Sequence, residues 1–194
     1  TFDRFARVYD LLMPAPRRSK LTDALTHAER PIERVIDVGG GPGRAARAID
    51  AECRVVVDPA KGMLSQARTH DIEAVQGDGS RLPVRAGSVD AILVSDALHH
   101  IADQRGVLQE AARVLRPGGV LVIREFDPST IPGRALVAAE RVWGFDSTFA
   151  TPDALRAEVA AVGLDGRVVD RGFGYTVVGV AQSKNESSKG EESE

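Results

Sequence analysis

The sequence predicts a doubly wound α/β domain, in which helices cover both faces of a mainly parallel sheet. Strand and helix patterns alternate between residues 35 and 123, and repeated strand–helix units with right-handed crossovers build such a sheet. Several strand segments are apolar throughout instead of alternating, which is typical of strands buried on both faces. A glycine-rich turn follows the first strand and opens the first helix of the repeat.

The elements follow one another in a regular order. Five strands are predicted, at residues 35–38, 55–57, 72–76, 89–94 and 120–123. Helices are predicted at residues 43–50, 60–69 and 133–143, and from a cap at Asp103 to a stop at Pro117-Gly118-Gly119. Thr151 and Pro152 have the pattern of a helix start, and Gly163 that of its end. Residues 168–169 and 175–180 flank a turn, which predicts an antiparallel hairpin.

The two ends of the chain differ from this middle part. Residues 1–30 predict two helices, and Phe5, Tyr9 and Met13 share one face of the first. That face either covers the sheet or forms a wall of a ligand site, and the sequence leaves both readings open. Residues 1–182 are expected to form a single domain, with residues 183–194 as a disordered tail because that segment is polar throughout.

Composition excludes several classes of partner. The chain has 194 residues and a formal net charge of -3, which does not favour binding to nucleic acid. No apolar run approaches the ~20 residues of a membrane span, and no signal peptide opens the chain, so we expect a cytoplasmic protein without stable membrane insertion. The single Cys53 excludes an internal disulfide and a cysteine metal cluster. The oligomeric state stays open, with a homodimer among the options.

Polar residues gather where the predicted strands end. In open α/β sheets, ligands bind outside the carboxyl ends of the strands. Gly39, Gly41 and Gly43 follow the first strand with the spacing G-x-G-x-G, which differs from the G-x-G-x-x-G of dinucleotide-binding proteins. Asp37 beside this loop would repel a pyrophosphate and attract a cationic group. An NAD-dependent oxidoreductase is therefore disfavoured.

The later strands each end in at least one polar side chain. Asp58 follows the second strand and suits a ribose diol, because a carboxylate accepts two hydroxyl hydrogen bonds at once. Asp78 follows the third strand, where it can accept a hydrogen bond from an adenine amino group. The fourth and fifth strands are followed by Ser95, Asp96, His99, His100, Glu125 and Asp127.

An ordered set of short motifs resembles the class I S-adenosylmethionine-dependent methyltransferases, and within them the small-molecule branch. The motifs are residues 37–43 (DVGGGPG), 57–59 (VDP), 77–83 (GDGSRLP), 88–90 (SVD), 98–100 (LHH) and 114–119 (VLRPGG). Residues 2–10 (FDRFARVYD) resemble the start of the ubiquinone/menaquinone-biosynthesis C-methyltransferases. The resemblance implies a Rossmann-like sheet of seven strands whose last, antiparallel strand is inserted into the sheet. It also implies S-adenosyl-L-methionine as cofactor, S-adenosyl-L-homocysteine as product, and no metal.

The resemblance also implies roles for individual residues. Those assigned to cofactor binding are Tyr9, Asp37, Gly39, Gly41, Gly43, Asp58, Pro59, Met63, Asp78, Gly79 and Ser95. Among them, the glycines line the amino-acid part of the cofactor with Asp37 near its amino group, and Asp58 binds the ribose. Pro59 is a less usual residue at its position and is expected to stiffen the turn, with a small shift of the adenine.

The implied reaction is an in-line displacement on the methyl group of the sulfonium, for which the protein mainly supplies alignment. Candidates for a general base are His100, His99 and Asp96; the alternative is that these histidines only begin a loop, with one bonded to backbone. Candidates for acceptor binding are Phe5, Tyr9, His100, Trp143 and Phe145. For Trp143 and Phe145 the alternative is that they pack a helix onto the sheet.

Two functions remain after this reasoning. The first is methyl transfer to a small-molecule acceptor, at carbon or oxygen of a quinone-like or phenolic compound. The second is a regulatory or scaffold module that binds S-adenosylmethionine without catalysis. The identity of the acceptor does not follow from the sequence.

Overall fold

The computed structural model describes residues 18–70 and 72–182. Phe5, Tyr9 and Met13, and with them the predicted first helix, lie outside the described residues. The predicted tail over residues 183–194 lies outside them as well. The predictions for both segments are therefore untested.

The described chain contains six α-helices, one 3-10 turn and seven strands. The helices are α1 (Arg18–Leu25), α2 (Arg44–Arg47), α3 (Lys61–Arg68), α4 (Gln104–Val114), α5 (Ile131–Val142) and α6 (Pro152–Ala161). The strands are β1 (Arg34–Val38), β2 (Cys53–Asp58), β3 (Glu73–Gln76), β4 (Val89–Ser95), β5 (Leu115–Phe126), β6 (Leu164–Asp170) and β7 (Gly174–Ala181). The 3-10 turn spans Leu98–His100.

All strands belong to one sheet with the order β3-β2-β1-β4-β5-β7-β6. The first five strands along the chain pair in parallel, and β7 lies between β5 and β6, antiparallel to both. This confirms the predicted seven-stranded sheet with an inserted antiparallel strand. The carboxyl ends of β1, β2, β4 and β5 consequently lie along one edge of the sheet.

Helices cover both faces of the sheet, as the apolar strands predicted. Strand β4 shows this directly, because residues 89–94 are all buried. Ile92 belongs to a core cluster that includes Leu108 of α4 and Leu155 of α6. Its neighbour Leu93 belongs to a separate cluster that includes Leu21 of α1. Successive side chains of a strand point to opposite faces, so two cores sandwich the sheet.

Strands β2 and β6 extend beyond their predicted ranges, and two other elements differ in length for reasons that the structure shows. Helix α2 is shorter, because the N–H of Ala48 bonds to the carbonyl of Ala45 and closes the helix after one turn. Strand β5 is longer: pairing starts at Leu115 opposite Val89, and the register shifts before Val120. Helix α4 ends at Val114, before the predicted Pro117-Gly118-Gly119 stop, because Leu115 is already extended. The Pro-Gly-Gly segment instead forms an irregularity within β5, in which Gly118 adopts a φ of +76°.

Helix starts follow the predicted capping pattern. The Asp103 carboxylate accepts the N–H of Gly106 at 2.9 Å, and the Thr151 hydroxyl accepts the N–H of Ala154 at 3.4 Å. Pro152 follows Thr151 in the first turn of α6. Side-chain oxygens at these positions satisfy backbone donors that have no partner within the helix.

Asp37 joins β1 to α2 from inside the core. Its side chain is fully buried, and Oδ2 accepts the N–H of Ala46 at 3.1 Å. Its Oδ1 has no hydrogen-bond partner. Burial raises the pKa of the Asp37 carboxyl to about 7, against the lowering effect of the Ala46 hydrogen bond. Gly40 leaves room for this group, since a Cβ at residue 40 would lie 2.4 Å from the Asp37 carboxyl.

Replacing Asp37 by Asn is expected to remove a pH dependence of stability. The native carboxyl keeps its proton up to a pH of about 7, whereas the unfolded chain loses it near the ordinary value of 3.8. The native state therefore binds more protons in this window, and the free energy of unfolding falls there by up to about 1.4 kcal/mol per pH unit. Denaturant titrations between pH 4.5 and 7.5 measure this slope.

In Asp37→Asn the part of the slope due to this carboxyl should be absent, so the difference between the two proteins changes steadily with pH. Asp50→Asn, a change at an exposed acid, is the matched control and should follow the parent curve. Parallel curves for the parent and Asp37→Asn would show that Asp37 is ionised in the folded protein.

Candidate cofactor and acceptor site

The glycine loop lies directly after β1, at the carboxyl edge of the sheet, with Gly39 half-buried and Gly41 and Gly43 buried. Gly39, Gly41 and Gly43 have φ values of +66°, +50° and +76°, a left-handed conformation that side chains disfavour. A Cβ at residue 39 would lie 2.8 Å from the Cβ of Ala97. Both the conformation and the space therefore require glycine at this position, and the loop can approach a ligand closely.

The loop meets the end of β2 at Asp58. The Oδ2 of Asp58 accepts the N–H of Gly41 at 3.0 Å, and its Oδ1 accepts the N–H of Ala60 at 2.8 Å. Burial raises the pKa of Asp58, and the two backbone hydrogen bonds counter that rise. A carboxylate oxygen has two acceptor sites, so each oxygen can accept a second hydrogen bond from a hydroxyl group.

Met63 of α3 lies beside the same point, because a Cβ built on Gly41 would be 3.8 Å from the Met63 sulfur and 3.9 Å from the Asp58 carboxylate. The structure thus brings together three of the predicted cofactor residues. Pro59 is exposed, and its carbonyl accepts a hydrogen bond from the Gln76 amide at 3.0 Å.

The turn after β3 carries Asp78 and Gly79. The exposed Asp78 accepts the backbone N–H of Ser80 at 2.9 Å, and hydrogen bonds from Ser80 lower its pKa. Gly79 is buried against β1, where a Cβ would lie 2.4 Å from the Val38 side chain. Glycine therefore lets this turn lie close to the end of β1.

The end of β4 is conformationally unusual. Asp96 has a φ of +53°, a left-handed value found in no other non-glycine residue that the structure describes. Its carboxylate forms two hydrogen bonds with the Arg124 guanidinium at 2.7 and 2.6 Å. Burial raises the pKa of Asp96 to about 6, although the Arg124 charge opposes that rise. The hydroxyl of Ser95 next to it is buried without a hydrogen-bond partner.

His99 is held inside the protein by a carboxylate. Its Nδ1 lies 2.6 Å from Oε2 of Glu125, at the end of β5, and Oε1 of Glu125 accepts the N–H of Leu98 at 2.8 Å. The His99 ring stacks on Phe149 with a centroid distance of 4.4 Å. Burial tends to lower the pKa of His99, but the charges of Glu125 and Glu140 and the hydrogen bond to Glu125 raise it above its usual value.

His100 faces a different neighbour, in the segment after α5. Its Nδ1 lies 3.0 Å from the Ser147 hydroxyl, and its ring centroid is 5.7 Å from that of Phe145. Burial, followed by the charge of His99, lowers the pKa of His100 to about 3. The Nδ1 atoms of both histidines thus contact side chains.

The predicted aromatic pair separates in the structure. Phe145 is half-buried beside His100, whereas Trp143 is 63% exposed. Helix α5 ends at Val142, and Gly144 with a φ of +80° turns the chain, so only Phe145 is directed back toward the histidines. The alternative that Trp143 packs the helix onto the sheet is therefore wrong.

Sequence reasoning missed two residues of this site, Glu140 and Ser147. It named Glu125 among the polar residues at the end of the fifth strand but did not connect it with His99. Glu140 is the one acid of α5 and is buried, with Oε1 at 3.7 Å from Nε2 of His99. Glu140 lies 41 residues after His99 in the chain, and no short-range sequence pattern connects residues so far apart.

None of the described helices combines the length and the apolar character that crossing a membrane requires.

Comparisons with known proteins agree with this geometry. A family model described as a methyltransferase domain matches residues 36–123. The chain is 38% identical to a demethylmenaquinone methyltransferase of Beutenbergia cavernae, over 78% of this chain and 65% of the relative. It is 36% identical to a demethylmenaquinone methyltransferase of a Mycobacterium species (strain KMS), over 66% of this chain and 59% of that protein. The match thus spans less than two thirds of these relatives' lengths.

Solved structures share the fold at low sequence identity. A S-adenosylmethionine-dependent methyltransferase of Thermotoga maritima matches with a TM-score of 0.77 and 20% identity, over 93% of this chain and 98% of that one. Another, from Clostridium acetobutylicum, matches with a TM-score of 0.71 and 13% identity, over 94% and 99%. Residues 36–123 therefore match a methyltransferase domain, and the chain resembles the class I S-adenosylmethionine-dependent methyltransferases, including those of menaquinone biosynthesis.

Proposed function

We propose that the chain transfers a methyl group from S-adenosylmethionine to a small-molecule acceptor and releases S-adenosylhomocysteine. The observation that carries the proposal is the arrangement at the ends of β1 and β2. There, the left-handed glycine loop and the buried Asp58 carboxylate are joined by the hydrogen bond from Gly41. The match to a methyltransferase domain covers both of these elements.

The cofactor can be placed on this arrangement from its chemistry. Its ribose hydroxyls would donate to the Asp58 carboxylate, and Met63 would pack on the adenine, whose amino group would donate to Asp78. The amino-acid part would then lie on the glycine loop, near the buried Asp37. These roles follow the family resemblance, and the proximity of Gly41, Asp58 and Met63 supports them.

The acceptor would enter from the side of His100. The segment after α5 brings Phe145 and Ser147 to this histidine, so the surface offers an aromatic ring next to polar atoms. Such a surface suits a flat ring that carries hydroxyl groups. Phe5 and Tyr9 remain predicted contributors, outside the described residues.

A reduced quinone is the acceptor class that we propose. The demethylmenaquinone methyltransferases that resemble this chain carry a quinone in their names. A hydroquinone is electron-rich once a hydroxyl loses its proton, and a ring carbon beside that oxygen can then attack the sulfonium methyl. Alignment of two bound reactants contributes as much as ~7–11 kcal/mol to such a step.

A domain that binds S-adenosylmethionine without catalysis is the competing function, and no observation favours it. Turnover with a demethylmenaquinol carrying a short isoprenyl chain, kept reduced during the assay, separates the two. Formation of methylated product and S-adenosylhomocysteine in equal amounts supports methyl transfer. Cofactor binding without product, across this acceptor and a panel of simple phenols, would favour the binding module.

Asp58→Ala is expected to weaken S-adenosylmethionine binding by about 1.5–3 kcal/mol, which is the scale of hydrogen bonds to a charged group. The dissociation constant would rise roughly 10- to 150-fold, as measured by isothermal titration calorimetry. Asp50→Ala changes an exposed acid and serves as the control.

Because Asp58 also holds Gly41 and Ala60, a thermal melt of each variant establishes that the fold is kept. Unchanged affinity in a folded Asp58→Ala protein would show that the ribose is bound elsewhere.

Phe145→Ala is expected to raise the KM for an aromatic acceptor about 5-fold and to leave the dissociation constant of S-adenosylmethionine unchanged. The half-buried ring would lose part of the ~1.5–3 kcal/mol that burial of a whole phenylalanine contributes. Trp143→Ala is the matched control, since that ring is 63% exposed. Equal KM values in the parent and Phe145→Ala would place the acceptor on another surface.

A further inference from the structure

Three side chains at the acceptor end of the site form a group with the composition of a metal centre. His99, His100 and Glu140 each offer one ligand atom, and these atoms all lie within 4.8 Å of one another. His99 and Glu140 are buried, and His100 is half-buried. Imidazole nitrogen and carboxylate oxygen are both ligands of first-row divalent metal ions.

Two buried atoms of this group have no hydrogen bond. They are Nε2 of His99 and Oε2 of Glu140. The nearest approach between the two side chains, from Nε2 of His99 to Oε1 of Glu140, is 3.7 Å, which is too long for a hydrogen bond. Buried polar atoms nearly always have a partner, so two orphaned atoms on neighbouring buried side chains indicate a missing group beside them.

The spacing of these two side chains suits a shared metal ion. Zinc binds histidine nitrogen at about 2.0–2.1 Å and carboxylate oxygen at about 2.0–2.2 Å. Two such ligands on one ion lie roughly 3–3.5 Å apart at ordinary coordination angles. The observed 3.7 Å therefore needs to change by only a few tenths of an ångström.

The outer contacts of the histidines orient them as ligands. Nδ1 of His99 contacts Glu125 at 2.6 Å, and Nδ1 of His100 contacts Ser147 at 3.0 Å. A histidine that binds a metal through Nε2 typically donates Nδ1–H to a carboxylate or another acceptor. Glu125 is itself fixed by the N–H of Leu98. The carboxylate–histidine pair is thus already held in the orientation that a metal ligand needs.

The balance of charge also favours a cation. Glu125 and Glu140 are both buried against the single ring of His99. The nearby guanidinium of Arg124 is engaged by the carboxylate of Asp96. Buried carboxylates are normally paired with cations or bind metals, and here two of them share the ring of one histidine.

We propose that His99, His100 and Glu140 bind one first-row divalent metal ion, such as Zn²⁺ or Mn²⁺, next to the acceptor. Two histidines and one carboxylate leave at least one coordination position for a further ligand. The proposal departs from the absence of a metal that the family resemblance implied.

A role for the ion rests on the proposed function. A hydroxyl group bound to a divalent ion loses its proton at lower pH. The ion would hold an acceptor hydroxyl as its anion while the proton passes to water, and the metal would keep its oxidation state. The nucleophilic carbon would then take the methyl group as the carbon–sulfur bond breaks, and the hydrogen on that carbon would leave as a proton to water, which restores the aromatic ring. Because both protons pass to water, no protein base is needed.

Metal binding is tested on tag-free protein that has been dialysed against a chelator. The protein is titrated in the calorimeter with ZnCl₂ and, separately, with MnCl₂. We expect at least one of these ions to bind with a stoichiometry of one ion per chain. A visible absorption band of the Co²⁺ form would report the nitrogen and oxygen ligands without any substitution. Absence of stoichiometric binding by all three ions would overturn the proposal.

Glu140→Gln keeps the shape of the side chain and removes its charge, and should lower the metal affinity more than about 100-fold. Glu125→Gln changes the residue that orients His99 and keeps all three proposed ligands, so it should lower the metal affinity by about 10- to 100-fold. His70→Gln changes an exposed histidine and is the matched control, with unchanged affinity. Circular dichroism of each variant establishes folding, and equal affinity in the parent and a folded Glu140→Gln would contradict the site.

The methyl-transfer assay keeps this inference separate from the proposed function. Turnover that survives the chelator in a protein without stoichiometric metal would overturn the metal site and leave the methyltransferase proposal standing. Stoichiometric metal that depends on Glu140, without turnover on any acceptor, would uphold the site and count against methyl transfer.

Discussion

The parallel pairing of β1 with both β2 and β4 is the constraint on which the site depends. From β1 the chain continues to β2, which pairs with one edge of β1, whereas β4 pairs with the other edge. A crevice therefore opens beyond the carboxyl end of β1, where the strand order reverses. The glycine loop occupies the floor of that crevice. Asp58 bonds to it from β2, and Ala97, two residues beyond β4, lies beside Gly39. A different strand order would carry these same residues to separate parts of the surface.

Carboxylates at neighbouring strand ends have different environments and therefore different chemistry. Asp37 is sealed in the core below the loop, and its pKa is raised to about 7. Asp58 accepts two backbone hydrogen bonds and still borders the crevice. Asp96 is occupied by Arg124, which makes it a poor candidate for the proton acceptor that the sequence alone had allowed. Glu125 supports His99 instead of facing a ligand. The hydrogen-bond and ion-pair partners of each carboxylate therefore determine its role more than the residue type does.

The sequence was most informative where interactions are local or periodic. Buried strands, helix caps at Asp103 and Thr151 and the glycine loop all depend on neighbouring residues, and the structure has them where they were predicted. The group around His99 depends on the approach of α5 to the end of β4. That contact joins His99 to Glu140, for which no short-range pattern exists. The exposure of Trp143 was missed for the same reason, because it follows from where α5 ends.

A crystal structure of the chain with S-adenosylhomocysteine tests the central claim most directly, since it locates the cofactor relative to the end of β2. The account predicts both ribose hydroxyls within hydrogen-bond distance of the Asp58 carboxylate, the amino-acid part on the glycine loop and the sulfur directed toward His100. A ligand bound away from the ends of β1 and β2, or a ribose held by a residue other than Asp58, would contradict it.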